Sequence, residues 1–153
     1  MAKPKDIEWI HNKNPISTNG VETIVMYMFQ AKKLVLIKPS ESIELSLEPF
    51  TFELLTVSPV KIFSKKLIQF VAIGLVNMLN TGEAIQSLSF NDDAISVQIG
   101  IRGTGEMRLF ASEKPKACKT NGEEVVFKYE ESMVVIQVEW PSCSSMSLVE
   151  YLF

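Results

Sequence analysis

The stretch AISVQIGIR, Ala94 to Arg102, decides the fold because apolar and polar side chains alternate along it. One side of an extended chain would carry Ile95, Val97, Ile99 and Ile101. Successive side chains of a β-strand point to opposite faces, so a period of two is typical of a half-buried strand. The stretch therefore predicts a strand with one apolar face.

Similar runs on both sides predict further strands. SIELSLE, residues 42–48, alternates in the same way, and SMSLVEYLF, residues 145–153, predicts a last strand. EVVFKYEESMVVIQVEW, residues 124–140, predicts a hairpin with its turn at Glu130-Glu131-Ser132. Asn121-Gly122 predicts a second hairpin, because both residues of its tight turn need a positive φ. Strand-like runs recur about every 8 to 14 residues, which favours an antiparallel sandwich or barrel.

Two glycine-containing segments are ambiguous. LIQFVAIGLVNML, residues 67–79, could be helical, but Gly74 favours a strand. GIRGTG, residues 100–105, is similar to a phosphate-binding glycine loop, yet such a loop precedes a helix. Here the strand-like EMRLFAS follows, so we interpret these glycines as a hairpin turn or a bulge.

Length and composition indicate one globular domain of 153 residues. The net charge of −3 argues against a nucleic-acid partner. No apolar run is long enough to cross a membrane, and no secretory signal is visible. Cys118 and Cys143 form no metal-binding or redox motif. We therefore expect a cytoplasmic protein with reduced thiols, with a plastid location as the alternative.

The residues that usually carry catalysis are sparse. Asp92 and Asp93 are adjacent, and on an extended chain they would point apart rather than flank a substrate, so we interpret them as a turn. His11 is the only histidine and lies in a polar, weakly patterned lead-in. Glu106 is a candidate for a buried hydrogen bond. We predict no catalytic residue, no metal site and no cofactor.

Aromatic residues offer the remaining candidate site, a surface on which a sugar could stack. Most of them fall at the apolar phase of a strand, where packing in the core is expected; those considered are Trp9, Phe50, Phe52, Phe70, Tyr129, Trp140 and Tyr151. Trp140 precedes Pro141 at a predicted strand end and is the best candidate for exposure. Trp9 and Trp140 are therefore the possible sugar-stacking residues.

Several segments together resemble a known family. They are LSLEPFTFELLTVSPVK, IGLVNMLNTGEAIQSL, RGTGEMRLFASEKPKACKTNGEEVVFKYE and the terminal VEYLF. In this order they closely resemble the C-terminal end of the plant raffinose synthase family, which includes galactinol–sucrose galactosyltransferases, alkaline α-galactosidases and seed imbibition proteins. The resemblance runs from about Val21 to Phe153.

The resemblance implies a (β/α)8 catalytic barrel followed by a C-terminal antiparallel β-sandwich. A barrel of roughly 250 residues does not fit in this chain, and the two barrel aspartates of the family have no counterpart here. The resemblance thus implies an all-β chain: residues 1–20 as an extended remnant of the barrel end, and residues 21–153 as the sandwich. No catalytic residue is carried over.

Three functions follow from these expectations. The first is an accessory domain with an exposed apolar face, which would pack on a catalytic barrel or on a second copy of the chain. The second is a carbohydrate-binding module for a galactoside. The third is an enzyme that acts by complementing a barrel supplied by another chain.

Overall fold

A computed structural model describes residues 1–4, 22–142 and 144–153. Its regular structure is β-strand apart from short helical turns, and the strands form three antiparallel sheets. The all-β class predicted from the sequence is confirmed. The chain divides into two compact units, Met1–Val60 and Lys61–Phe153. The predicted boundary near residue 20 falls outside the described residues and stays a prediction.

The first unit contains one three-stranded sheet. Its strands are β1 (Ile24–Met28), β2 (Lys33–Ile37) and β3 (Leu55–Pro59), and β1 lies between the other two. One face of the sheet carries a small core made by Ile24, Met26, Ile37 and Val57. Alternation of side chains along β1 places the first two of these on the same face.

The strand predicted over residues 42–48 is wrong. Among the described residues, only Ile43 is bridged, through backbone hydrogen bonds of 2.9 and 3.0 Å with Ala2. Ile43 and Leu45 are half-buried, as their alternation indicates, but Leu47 is exposed. Pro49, which cannot donate a ladder hydrogen bond, follows this segment. Alternation thus marks an extended chain here, although no strand in the described ranges pairs with it beyond the single bridge.

The second unit contains the sandwich. Its strands are β4 (Lys61–Ile62), β5 (Gln69–Leu75), β6 (Ile85–Asn91), β7 (Ser96–Ile101), β8 (Gly105–Ala111), β9 (Ala117–Thr120), β10 (Glu123–Glu124), β11 (Lys128–Glu130), β12 (Met133–Val138) and β13 (Ser147–Leu152). They form two five-stranded sheets, with orders β10-β9-β13-β7-β6 and β11-β12-β8-β5-β4. The predicted β-sandwich is therefore confirmed.

Both predicted hairpins are confirmed. Asn121 (φ 52°) and Gly122 (φ 86°) connect β9 to β10. Glu131 and Ser132 connect β11 to β12, also with positive φ. The interpretation of residues 100–105 as a hairpin turn is wrong, because β7 and β8 belong to different sheets. The register of β7 against β6 does shift where Gly100 and Ile101 pair, so an irregularity is found at the start of this segment. This segment carries the chain from one sheet across to the other.

The two sheets share one apolar core. Inward side chains alternate along β7, β8, β12 and β13, and include Ile99, Leu109, Ile136 and Val149. Aromatic rings gather at one end of this core, where Phe63, Phe70, Phe90, Tyr151 and Phe153 approach one another with centroids 5.7–6.4 Å apart. Tilted and edge-on arrangements of this kind are the favourable ones for aromatic pairs.

Gly74 makes an irregularity in β5 that the segment requires. Its φ is +111°, and the register against β8 shifts between Ala72 and Gly74. A Cβ at this position would lie 2.1 Å from the carbonyl oxygen of Thr81. Glycine is therefore needed here both for its backbone conformation and for the close approach of the chain beyond β5.

Replacing Gly74 by alanine should destabilise the protein by roughly 2–4 kcal/mol, because a strained φ and a clash with backbone add together. Urea unfolding followed by circular dichroism measures the change. Gly82→Ala is the matched control, since a Cβ there meets nothing within 4 Å; its effect should stay within about 0.5 kcal/mol. Equal effects of the two substitutions would show that the bulge is unimportant.

Two titratable side chains lie inside the core. Cys118 and Tyr151 are directly paired residues of β9 and β13, and both are buried. Burial raises the pKa of the Cys118 thiol from 9.0 to about 12. Burial likewise raises the pKa of the Tyr151 hydroxyl well above 10.0. The native state therefore keeps both protons at a pH where the unfolded chain releases them.

This difference makes the free energy of unfolding fall as the pH rises above 9. The unfolded thiol binds fewer protons than the native one, so Cys118 contributes a slope of up to about 1.4 kcal/mol per pH unit until its native pKa is reached. Tyr151 adds to the slope from about pH 10. Urea titrations at pH 8 to 10.5 should show this decline. Cys118→Ala should flatten the curve between pH 9 and 10; an unchanged slope would contradict the assignment.

Candidate functional site

A groove beside Trp140 is the best candidate site of the second unit. It has a volume of about 530 Å³ and lies between the β9–β10 hairpin of one sheet and the end of β12 in the other. We call it the Trp140 groove. Its lining residues are Thr120, Asn121, Glu123, Val125, Gln137, Glu139, Trp140, Pro141, Ser142 and Ser144.

The walls of the Trp140 groove are fixed by contacts to β13. Asn121 makes two hydrogen bonds to Leu148: its backbone N–H donates to the carbonyl oxygen at 2.8 Å, and its side-chain oxygen accepts from the amide at 2.9 Å. On the opposite wall, the hydroxyl of Ser147 donates to the carbonyl oxygen of Glu139 at 3.0 Å. Both walls are thus attached to the same strand, which holds the groove open between them.

Trp140 supplies the apolar surface of the groove. It lies two residues after the end of β12, and its relative exposure is 59%. The expected exposure of this side chain at a strand end is therefore found. Pro141 has a fixed φ and limits the backbone directly after the indole. A large, partly exposed indole next to polar groups is the usual composition of a surface on which a sugar ring stacks.

The polar groups of the groove are hydrogen-bonding rather than catalytic in character. Gln137, Glu139 and Glu123 are exposed, as are the hydroxyl residues Ser142 and Ser144. Two glutamates in one groove resemble a glycosidase pair, but the acid of such a pair is held in a shielded environment, whereas Glu123 and Glu139 are both exposed. The groove therefore offers amide, carboxylate and hydroxyl partners to a polyhydroxylated ligand.

One buried hydroxyl in the wall has no partner. The side-chain oxygen of Thr120 is buried and, among the described residues, makes no hydrogen bond. Thr120 is the last residue of β9 and lies at the turn into the groove. Leaving such a group unpaired costs roughly 1–3 kcal/mol. This end of the hairpin is thus the least satisfied part of the wall.

The other candidate residues that the structure describes lie in separate places. Trp9 and His11 lie outside the described residues, so the predicted stacking pair of Trp9 and Trp140 stays a prediction. Asp92 and Asp93 lie in a turn after β6, as expected, where Lys65 pairs with Asp93. Glu106 accepts a hydrogen bond from Nε of Arg108 at 2.6 Å, in a partly buried ion pair.

The described part of the chain holds no cluster of three or more potential metal ligands. Cys118 has its thiol in the core, with the raised pKa that makes a thiolate scarce, so it is a poor nucleophile. Cys143 lies outside the described residues. None of the helices described is long and apolar enough to cross a membrane.

Core packing was the expectation for most aromatic residues, and it holds for Phe70 and Tyr151. It is wrong for Phe50 and Phe52, which are exposed because the chain around them forms a turn instead of a paired strand. Tyr129 is partly buried, and its hydroxyl donates to the carbonyl oxygen of Ala111 at 3.0 Å.

Sequence reasoning missed the polar lining of the Trp140 groove. The lining comes from residues 120–125 and 137–144, which the crossings between the two sheets bring together. The only local signals were the Asn-Gly hairpin and the Trp-Pro pair at a strand end. Neither signal by itself indicates that the two segments share a groove.

Comparison with known proteins assigns the chain to a family. Residues 1–139 match the family described as raffinose synthase or seed imbibition protein Sip1. The chain is 57% identical to a galactinol–sucrose galactosyltransferase of Pisum sativum and 49% identical to a probable galactinol–sucrose galactosyltransferase 5 of Arabidopsis thaliana. A galactinol–sucrose galactosyltransferase of Oryza sativa subsp. japonica is 41% identical.

Each of these matches covers 99% of this chain but only 19% of the relative. The chain therefore spans about one fifth of the length of these relatives. The similarity also includes residues before Val21, where the resemblance found in the sequence began. The chain belongs to the raffinose synthase or seed imbibition protein family.

Proposed function

We propose that this chain acts as a non-catalytic accessory unit of a galactosyl-transferring enzyme of its family. The observation that carries the proposal is the combination of a closed sandwich core with a match to one fifth of each relative. In the second unit, the inward residues of the sheets form the core, and the polar residues outside it form turns, a surface ion pair between Lys65 and Asp93, and the Trp140 groove.

The proposal includes the partner and the boundaries expected from the sequence. The remaining four-fifths of a family enzyme would contain the (β/α)8 barrel with its catalytic aspartates. Residues 1–20 would be the end of that barrel, and residues 21–153 would support it. The galactosyl donor, galactinol or another α-galactoside, would be bound by the barrel and not by this chain. The proposed location is the cytoplasm.

Supplying the chain separately tests this role. We expect the pea galactinol–sucrose galactosyltransferase, shortened by the segment that matches this chain, to be recovered poorly when expressed alone. Coexpression with this chain should restore soluble protein that copurifies with it and transfers galactose from galactinol to sucrose. The measurement is the yield of the complex and its transfer rate. Copurification without transfer still supports the accessory role, whereas failure to copurify would contradict it.

A second candidate function is carbohydrate binding. The observation that favours it is the exposed indole of Trp140 in a groove lined by amide, carboxylate and hydroxyl groups. An aromatic face supplies apolar contact for a sugar ring, while the surrounding polar groups supply hydrogen bonds. The two functions are compatible, since an accessory unit can hold one end of an oligosaccharide near its enzyme.

Raffinose at millimolar concentration should shift the indole N–H signal of Trp140 in a ¹⁵N–¹H correlation spectrum. Trp140→Ala should weaken binding by about tenfold or more, because a buried aromatic contact contributes roughly 2 kcal/mol. Leu79→Ala, which removes an exposed apolar side chain away from the groove, is the control and should leave binding unchanged. An indole signal that ignores the sugar would exclude this second function.

A further inference from the structure

Residues Glu48–Thr51 form a turn in which a phenylalanine occupies a position that favours glycine. The amide of Thr51 donates to the carbonyl oxygen of Glu48 at 3.1 Å, which closes the turn. Pro49 occupies its second position, and Phe50 occupies the third with a φ of 64°. A turn of this kind favours glycine at the third position, because side chains other than glycine are strained there. We call it the Phe50 turn.

The strained phenylalanine is not packed against the part of the chain that the structure describes. Phe50 has a relative exposure of 108%, so its ring projects fully into solvent. Leu47 and Phe52, on either side, are also exposed, with 53% and 56%. Single exposed apolar residues are ordinary on protein surfaces, but contiguous ones commonly mark an interface. A backbone conformation that is strained and gives no contact in return is often found at a functional site, where the strained residue has a role.

The chain that follows the Phe50 turn is held in place by hydrogen bonds. The carboxylate of Glu53 accepts hydrogen bonds from the backbone amides of Gln30 at 2.7 Å and Ala31 at 3.1 Å. The amide of Phe29 donates to the carbonyl oxygen of Leu54 at 3.0 Å. These bonds attach the chain after the turn to the β1–β2 hairpin. An apolar side chain on a held loop loses little conformational entropy on binding, which is a property of effective anchors.

We propose that the Phe50 turn is a docking anchor, and that its ring enters an apolar pocket on the part of a family enzyme that this chain does not contain. The chain matches only 19% of the pea relative, so most of that enzyme is available as the occupant. This proposal rests on the proposed accessory function, and it names Phe50 as a residue through which the chain would contact the enzyme. Phe50 provides the buried ring, and Leu47 and Phe52 form the apolar surround that excludes water.

The test uses the full chain coexpressed with the shortened pea enzyme. Phe50→Gly removes the ring and relieves the strain together, so the melting temperature of the isolated chain should stay the same or rise. Its dissociation constant for the shortened enzyme should nevertheless increase by about tenfold or more. Phe50→Leu keeps an apolar side chain and should retain part of the affinity. The opposite directions of stability and association distinguish an anchor from a residue needed for folding.

Leu67→Gly is the matched control. Leu67 also combines a positive φ of 56° with high exposure, 75%, but it lies in the second unit. Leu67→Gly should raise the stability of the chain without changing its affinity for the shortened enzyme. If Leu67→Gly weakened binding as much as Phe50→Gly does, the loss would come from the altered backbone, and the proposal would be overturned. If Phe50→Gly copurifies as well as the unaltered chain, the anchor is wrong while the accessory function stands. If the unaltered chain does not copurify, both are wrong.

A second copy of the chain is the competing occupant. Sedimentation of the isolated chain decides this point: the proposal expects a monomer, whereas a dimer that Phe50→Gly dissociates would place the ring between two copies and overturn the assignment.

Discussion

The fold depends on the burial of apolar side chains between the two sheets of the second unit. These side chains come from one face of each strand. Every long strand of the second unit contributes to this core, and its aromatic end joins β5, β6 and β13 through Phe70, Phe90 and Tyr151. Burial of apolar surface is the main favourable term in folding, at about 25 cal/mol per Å². Because the core needs both sheets, connections must cross from one sheet to the other. These crossings bring together the segments that line the Trp140 groove.

The same constraint explains why the chemistry of the chain is so limited. Cys118 and Tyr151, which could react on a surface, are enclosed in the core with raised pKa values. The Arg108–Glu106 pair contributes little as a partly exposed interaction on one strand. Within the described residues, the surfaces considered for function are the Trp140 groove in one unit and the Phe50 turn in the other. Both are suited to binding, which is the role of an accessory unit.

The strands and hairpins could be predicted because they are local properties of the sequence. Alternation in residues 94–102 and the Asn121-Gly122 pair each specify their structure within a few residues. Residues 42–48 have the same alternation, but in the described part of the chain they pair only through the bridge at Ile43, and pairing is a property of the whole fold. Likewise, the glycines of residues 100–105 indicate a change of direction, yet only the topology decides that the chain changes sheets.

The site was harder to predict than the fold because its residues are distant in the sequence and come together only in the folded structure. Trp140 could be identified from its place before Pro141, but its groove also requires Asn121 and Glu123, which are close only in the folded sandwich. Phe50 was expected in the core because its neighbours alternate, and a turn with a left-handed third residue placed it in solvent. The family resemblance is the source of the proposed catalytic barrel, which no property of these residues could have indicated.

Hydrogen exchange of the isolated chain tests the central claim, that the sandwich has a complete core of its own. The account predicts the slowest exchange in β7, β8 and β13, at the free energy of global unfolding, without any added partner. Rapid exchange in these strands, slowed only when the shortened pea enzyme is present, would contradict it. The sandwich would then acquire its structure from the enzyme that it was proposed to support.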